Sequence, residues 1–207
     1  IAHHNLLDES EVYLKDCTIE HSEQLIGQLE SWDVPLFLSG HLHVQHYMRS
    51  NDDFGIYEVV TSSLSTPPCQ YGLLNYGNDG SFHYRTKSLD MKSWARETGN
   101  KNKDLLNFDT FGKKFLSNVF YNQAQDEFAG SDTFKDLSKA QKEQMAKVYA
   151  QLNAACAAGR VAEIRDEATE KAGYRLWEEE GYPSILAQYL EWITSDGTED
   201  YNVLDSE

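Results

Sequence analysis

The chain has 207 residues, which is enough for one ordinary domain or one and a half. Its 34 acidic side chains outnumber 18 basic ones, so the formal net charge is −16 at pH 7. This charge argues against duplex nucleic acid as a partner, because binding a polyanion requires clustered Lys and Arg that displace counterions. An anionic membrane surface is disfavoured for the same reason. Apolar residues make up 40% of the chain, so a sizeable core can form.

The start of the sequence predicts that the chain is a piece of a longer protein. Residues 1–4 read Ile-Ala-His-His, which is typical of the end of a strand whose earlier part is missing. The lack of a targeting segment therefore says nothing about the whole protein, and no location is predicted. No apolar run approaches the roughly 20 residues of a membrane span. The three cysteines, Cys17, Cys69 and Cys156, indicate no disulfide framework.

The first 90 residues are typical of an α/β layer that passes into an antiparallel section. The spacing of apolar residues predicts an amphipathic helix over residues 22–30. The short apolar run at 34–38 predicts a buried strand. Further strands are predicted at 44–49, 56–61, 71–76 and 81–86. Residues 77–80 read Gly-Asn-Asp-Gly, which favours a hairpin turn between the last two.

From about residue 90 the sequence is typical of helices. Strong helix formers and a repeat close to 3.6 residues predict helices over 103–127, 137–158, 160–172, 174–180 and 183–195. Gly159 is expected to end one of them, and Pro183 is expected to begin the last. The acidic tail at 198–207 is expected to be frayed. We therefore predict a boundary near residue 90, with a helical domain over residues 91–207.

Histidines provide the chemistry that the sequence suggests. His3 and His4 follow the first partial strand, whereas His41 and His43 follow the apolar strand at 34–38. In open α/β sheets, ligands bind beyond the carboxyl ends of strands, so both pairs are expected at such an edge. Imidazole is a common ligand for zinc, iron and manganese ions. The pattern indicates metal binding, although Gly-His-x-His alone also fits a polar loop.

The order of these features resembles the C-terminal half of a calcineurin-like metallophosphoesterase. The chain has Ile-Ala-His-His at a strand end, about 38 residues, a buried strand and then Ser-Gly-His-Leu-His. These match the family's strand-terminal histidine and its final G-H-x-H motif. The resemblance covers residues 1–90, and the remainder is similar to the C-terminal extension of some bacterial members. It implies an α/β fold, part of a two-sheet sandwich over residues 1–90, followed by a small all-helical domain.

The resemblance implies metal-dependent hydrolysis of phosphoester bonds at a two-metal site that uses Mn, Fe or Zn ions. His3 and His41 match the ligands of one ion, and His43 matches a ligand of the other. The family's D-x-H, G-D and G-N-H-D/E motifs, which include its catalytic histidine, would lie before Ile1. No catalytic residue is therefore expected within this chain, and the chain alone is expected to be inactive. The implied substrate is a small phosphodiester of the cyclic nucleotide or glycerophosphodiester type.

Other interpretations of the same residues stay open. His46 follows the motif by three residues and is a candidate substrate contact, or a strand histidine that faces a polar layer. A mononuclear structural zinc site would need a fourth ligand, for which Cys69 is the nearest thiol in sequence. The chain could also be a non-catalytic protein-interaction module derived from a degenerate phosphoesterase. The presence of the three earlier motifs in the whole protein would distinguish an enzyme from such a module.

Overall fold

A computed structural model describes residues 1–10, 12, 17–51 and 55–206. This part of the chain is a mixed α/β fold with two small three-stranded sheets and eight α-helices. The strands are β1 (Leu36–Ser39), β2 (His46–Arg49), β3 (Tyr57–Val60), β4 (Gln70–Tyr76), β5 (Phe82–Ser88) and β6 (Val203–Asp205). The helices are α1 (Ser22–Ser31), α2 (Met91–Glu97), α3 (Lys103–Leu106), α4 (Phe108–Gly130), α5 (Lys139–Ala157), α6 (Arg165–Thr169), α7 (Ala172–Glu180) and α8 (Ile185–Ser195).

The first sheet places β3 between β1 and β2. Strands β1 and β3 are parallel, and β2 is antiparallel to β3. The start of the chain lies beside the outer edge of β1, where the Ala2 amide donates to the Leu38 carbonyl (3.0 Å) and the Gly40 amide donates to the His3 carbonyl (3.1 Å). The first histidines therefore lie next to the point at which β1 ends.

The second sheet has the order β4-β5-β6 and is antiparallel throughout. The predicted hairpin between β4 and β5 is confirmed, and Gly80 supplies the positive φ (87°) in its turn. The expectation of a frayed C-terminal tail is wrong, because β6 pairs with β5. Its central residue, Leu204, is buried beside Phe82 and Tyr84 together with Val59 of the first sheet, whereas its neighbours are exposed. This alternation is the ordinary strand period of two.

Most helices follow the predicted segments, with two exceptions. The single helix expected over 160–172 is wrong, because a 3-10 turn at Val161–Glu163 and the five-residue α6 take its place, and α2 was not predicted. The segment predicted as one helix over 103–127 forms α3 and α4, because Asn107 leaves the helical conformation between them. Helix α5 begins after a capping box made by Ser138 and Gln141. It is followed by Gly159 with φ 68°, as the sequence predicts. The last helix begins two residues later than predicted, because the Ser184 side chain caps it.

The helices share one apolar cluster with the end of the first sheet. Trp177 and Tyr149 are buried at its centre, and the Trp177 indole donates to the Met145 carbonyl at 2.9 Å. Val44 and Val60, from the strand region, belong to the same cluster. The helices therefore pack where β3 ends. The division into domains at 1–90 and 91–207 stays a prediction. Across the described residues, no helix has the length and apolar character needed to cross a membrane.

Candidate functional site

Two histidines that are distant in sequence meet at the carboxyl end of β1. The Nδ1 atom of His41 lies 3.1 Å from the Nε2 atom of His3, and the ring centroids are 5.0 Å apart. His4 adds a third ring, whose centroid is 4.5 Å from that of His41. The structure thus places the first histidine pair against the histidine that follows β1. The role of His3 and His41 as metal ligands stays a prediction.

The loop that contains His41 and His43 has an unusual backbone. Both residues have positive φ, 63° and 57° respectively, a conformation that non-glycine residues adopt only when their surroundings hold it. Leu42 and Val44 pack with the helical cluster. His43 is exposed, and in the described residues it is not part of the ring cluster formed by His3, His4 and His41. Its assignment to a second ion stays a prediction.

A buried carboxyl group links the start of the chain to β1 and β3. Glu58 of β3 is fully buried. It accepts hydrogen bonds from the backbone amides of Leu6 (2.9 Å) and Leu7 (2.5 Å), and from the hydroxyl of Ser39 (2.5 Å). The Asn5 amide group donates to the Ser39 hydroxyl at 3.0 Å. These contacts hold the residues that follow His3 and His4 against the end of β1.

The two facing ring nitrogens fit part of a metal site. Zinc–nitrogen bonds are about 2.0–2.1 Å long, so two imidazole nitrogens on one tetrahedral ion lie about 3.3–3.4 Å apart. The 3.1 Å between His3 and His41 is slightly shorter, so the rings must move slightly apart to share an ion, and as they stand one ring can donate a hydrogen bond to the other. Among the residues that the structure describes, Cys69 included, no group of three or more His, Cys, Asp or Glu is placed to hold an ion. The ligand atoms of the described residues therefore make an incomplete metal site.

His46 lies in a different environment, a buried polar cluster. Its side chain is enclosed, and its Nδ1 atom contacts the carboxylate of Glu9, which is only 3% exposed. Its Nε2 atom lies 3.7 Å from Oδ2 of Asp196, the residue that follows α8. The ring also packs beside Tyr201 and Trp192, with centroids 4.4 and 5.2 Å away. A substrate contact for His46 stays a prediction, as does the interpretation as a strand histidine facing a polar layer.

The charged groups of this cluster shift one another's pKa values. Burial lowers the pKa of His46, but the contacts with Asp196 and Glu9 outweigh it and raise the pKa to about 9. Burial raises the pKa of Glu9 to about 7, although His46 opposes this. The contact with His46 holds the pKa of Asp196 well below its usual value. At neutral pH the His46 ring is therefore protonated and the Asp196 side chain is ionised.

Sequence reasoning did not identify the acidic partners of these histidines. Glu9 and Asp196 belong to no motif, and the chain has 34 acidic residues from which to choose. Glu58 carries one usable signal, since it stands in the apolar strand Tyr-Glu-Val-Val. An acidic residue in a buried strand must find hydrogen-bond donors, because burying it unpaired is costly.

Comparison with known families adds independent information about the helical part. Residues 90–200, more than half of the chain, match the family described as the C-terminal domain of cyclic nucleotide phosphodiesterase. This match confirms a phosphodiesterase-related C-terminal domain. It includes all helices from α2 to α8 together with Asp196, and the histidines at positions 3, 41 and 43 lie outside it. The narrower expectation of a calcineurin-like metallophosphoesterase goes beyond this match. No curated protein matches the chain.

Proposed function

Because this chain belongs to the family of C-terminal domains of cyclic nucleotide phosphodiesterases, we propose that it is part of a metal-dependent phosphodiesterase. In this proposal the chain supplies the C-terminal metal ligands of a calcineurin-like metallophosphoesterase. His3 and His41 bind one divalent ion, and His43 binds a second. The ions are Mn, Fe or Zn, and the substrate is a small phosphodiester such as a cyclic nucleotide or a glycerophosphodiester. Neither duplex nucleic acid nor a membrane span is part of the proposal.

The observation that supports the ligand assignment best is the contact between His3 and His41. Two imidazole nitrogens stand 3.1 Å apart at the carboxyl end of a strand that is parallel to its neighbour. Ligands bind at this edge in open α/β sheets. The positive φ of His41 adds to the argument, since strained backbone concentrates at functional sites.

The proposed roles of the residues follow from their positions. A pair of divalent ions supplies Lewis acidity toward phosphate oxygens and lowers the pKa of water. The histidines hold and orient such ions, and the hydrogen bonds to Glu58 keep the start of the chain close to β1. Because the described donors make an incomplete site, the remaining ligands and the catalytic histidine come from residues other than those described. The chain alone is therefore proposed to be inactive.

The proposal also concerns the architecture around the site. The two sheets would form part of a two-sheet sandwich over residues 1–90, and residues 91–207 would form a helical domain. The shared cluster of Val59 with Phe82 and Tyr84 supports contact between the sheets. The return of the chain in β6 supports a close connection between the two regions.

Metal titration tests the ligand assignment in the chain itself. Mn²⁺ or Zn²⁺ is titrated into the wild-type chain and into a His41→Ala, His43→Ala double variant, with binding measured by calorimetry. We expect the wild type to bind an ion and the double variant to lose at least about tenfold in affinity, the smallest loss typical of disturbed metal sites. His21→Ala, a change at an exposed histidine outside the site, is the control and should bind like wild type. Equal affinities in all three proteins would contradict the ligand assignment.

Activity is tested in a longer protein that contains this chain. Hydrolysis of bis(p-nitrophenyl) phosphate should require added Mn²⁺ or Zn²⁺ and should be lost in the His41→Ala, His43→Ala variant. Metal-independent hydrolysis would contradict the proposed mechanism. The non-catalytic interaction module would instead be favoured if neither this substrate nor cyclic nucleotides were hydrolysed and if a protein partner bound the wild type and the His41→Ala, His43→Ala variant equally well.

A further inference from the structure

We infer that His46 is a positioning residue, held between Glu9 and Asp196. It keeps the loop at residues 41–43, here called the histidine loop, in its strained conformation for metal binding. This inference rests on the proposed function, because it concerns how the proposed ligands His41 and His43 are held. It gives the helical, family-matched region a defined part in the site, since Asp196 belongs to that region.

His46 joins three separate parts of the chain. Glu9 comes from the segment that begins with His3 and His4, and its carboxylate contacts Nδ1 of His46. Asp196 follows α8 and approaches the other ring nitrogen to 3.7 Å. His46 itself begins β2, three residues after His43. Its imidazole ring is thus a direct bridge between the start of the chain, the histidine loop and the helices.

The histidine loop needs such support on both sides. Before the loop, Ser39 donates to the buried Glu58 at 2.5 Å. After the loop, Gln45 donates from its side-chain amide to the Tyr201 carbonyl at 2.9 Å, and His46 makes the contacts described above. Positive φ at a non-glycine residue is unfavourable by itself, so firm attachment at both ends is what keeps the loop in place.

His46 and Glu9 are buried, whereas Asp196 is partly exposed at the edge of the cluster. His46, Asp196 and Tyr201 line a narrow cavity of about 10 Å³ together with Trp192. In the described residues, Nε2 of His46 and the hydroxyl of Tyr201 are buried without a hydrogen-bond partner. Removing one charge from such a cluster leaves the opposite charge uncompensated. The loss of Asp196 or Glu9 should therefore displace His46 and loosen the histidine loop, which lies just before His46 in the chain.

The test measures the histidine loop directly in folded variants. Asp196→Asn and His46→Gln keep the approximate side-chain shape and remove the charge. We expect each variant to bind Zn²⁺ about tenfold or more weakly than wild type, as is usual when a group that orients a ligand is lost. The ring signals of His3 and His41 in ¹H–¹³C NMR spectra without metal should shift as well. Asp196→Glu, which restores the charge, should recover part of both effects.

Two controls separate positioning from general destabilisation. Asp205→Asn removes the partner of His83 in an exposed carboxylate–histidine pair on the second sheet and should leave Zn²⁺ affinity unchanged. Leu116→Ala removes a buried side chain of α4 that lies outside the apolar cluster shared with Val44, and it should lower stability. Folded Leu116→Ala should keep the wild-type affinity and the wild-type ring signals.

The outcomes distinguish this inference from the proposed function. If the His41→Ala, His43→Ala variant loses Zn²⁺ but Asp196→Asn and His46→Gln bind like wild type, the positioning role is wrong and the ligand assignment stands. If Leu116→Ala weakens binding as much as Asp196→Asn, the effect is general destabilisation, and the positioning role is again wrong. If the wild type does not bind Zn²⁺, the ligand assignment fails. The ring signals of His3 and His41 then decide the positioning role.

Discussion

The Nε2 atom of His3 lies 3.1 Å from the Nδ1 atom of His41, although 38 residues separate the two along the chain. The contact forms because both residues follow segments that lie side by side at one edge of the first sheet. The Gly40 amide, which donates to the His3 carbonyl at 3.1 Å, holds the two segments together. The backbone therefore determines how close the rings can come.

His3→Ala is expected to weaken Zn²⁺ binding by about tenfold or more, because it removes one of two nitrogens close to ligand spacing. His4→Ala is the matched control, since it removes the neighbouring imidazole. The His4 ring lies beside the His41 ring at 4.5 Å between centroids, with 33° between their planes, which is a ring-to-ring contact. Calorimetric titration should give the His4→Ala variant an affinity close to wild type. A greater loss for His4→Ala than for His3→Ala would show that the ligands are assigned to the wrong ring.

The stability of the protein is expected to fall as the pH rises from 6.5 to about 9, because folded His46 keeps its proton over this interval whereas the unfolded chain loses it. The neighbouring Asp196 and Glu9 raise the pKa of His46 from 6.5 to about 9, in spite of burial. Between these values the folded state holds a proton that the unfolded state has lost, so rising pH favours unfolding. The stabilisation is complete below pH 6.5 and is lost above about pH 9.

Urea unfolding at pH 6, 7, 8 and 9 measures this effect by comparison with His46→Gln. The free energy of unfolding of the wild type should exceed that of the variant at pH 6, and the difference should shrink toward pH 9. Among the residues that the structure describes, Asp196 and Glu9 shift the pKa of His46, Tyr201 packs against its ring, and Glu9 also faces Glu58. The raised pKa of Glu9, about 7, acts in the same direction at lower pH. Parallel pH curves for the two proteins would show that His46 does not carry the dependence.

Glu58→Gln is expected to lower the free energy of unfolding by about 2–4 kcal/mol. The backbone amides of Leu6 and Leu7 and the Ser39 hydroxyl all donate to this fully buried side chain. Glutamine replaces one acceptor oxygen with an amino group that is itself a donor, so at least one of the three donors loses its acceptor. Glu97→Gln, at the exposed end of α2, should change stability by less than about 0.5 kcal/mol. Equal, small effects in urea unfolding would mean that the Glu58 contacts contribute little.

The sequence predicts most elements because their signals are local. The apolar spacing in α1, the capping box of α5 and the hairpin turn before β5 depend on residues within a few positions of one another. The tail was mispredicted for the opposite reason. Its acidic composition suggests fraying, whereas the burial of Tyr201 and Leu204 depends on β5 and on the His46 ring, which are distant in sequence.

Only part of the candidate site can be predicted from the sequence, for a related reason. The position of His41 after β1 follows from the pattern of the strands, whereas the strand expected before His3 and His4 is not formed by residues 1–4. The positive φ of His41 and His43 does not, because packing of the loop against the helices, and not the intrinsic preference of histidine, selects it. The contact of His46 with Asp196 spans most of the chain. Such partners are chosen by the tertiary fold, and no spacing rule predicts them.

Gly159→Ala tests how closely the helices must approach the strand that follows the histidine loop. Gly159 has φ 68°, and a Cβ atom at this position would lie 2.7 Å from Cγ and 3.0 Å from Cβ of Gln45. Gly99 has the same φ of 68°, but its Cβ atom would meet nothing within 4 Å. Alanine at either site bears the cost of left-handed backbone, about 1–2 kcal/mol. Only Gly159→Ala must also displace Gln45 and the nearby Nδ2 atom of Asn202, which adds about 1–3 kcal/mol.

The difference between the two alanine variants in urea unfolding therefore measures the close contacts with Gln45 and Asn202, since the backbone cost and the effect on the unfolded chain cancel. Gly159→Ala should be the less stable of the two. It should also weaken Zn²⁺ binding, because Gln45 is joined to the histidine loop and its side-chain amide donates to the Tyr201 carbonyl. If the two variants have equal stability, the helices can withdraw from Gln45 without cost, and close packing at this point does not hold the loop.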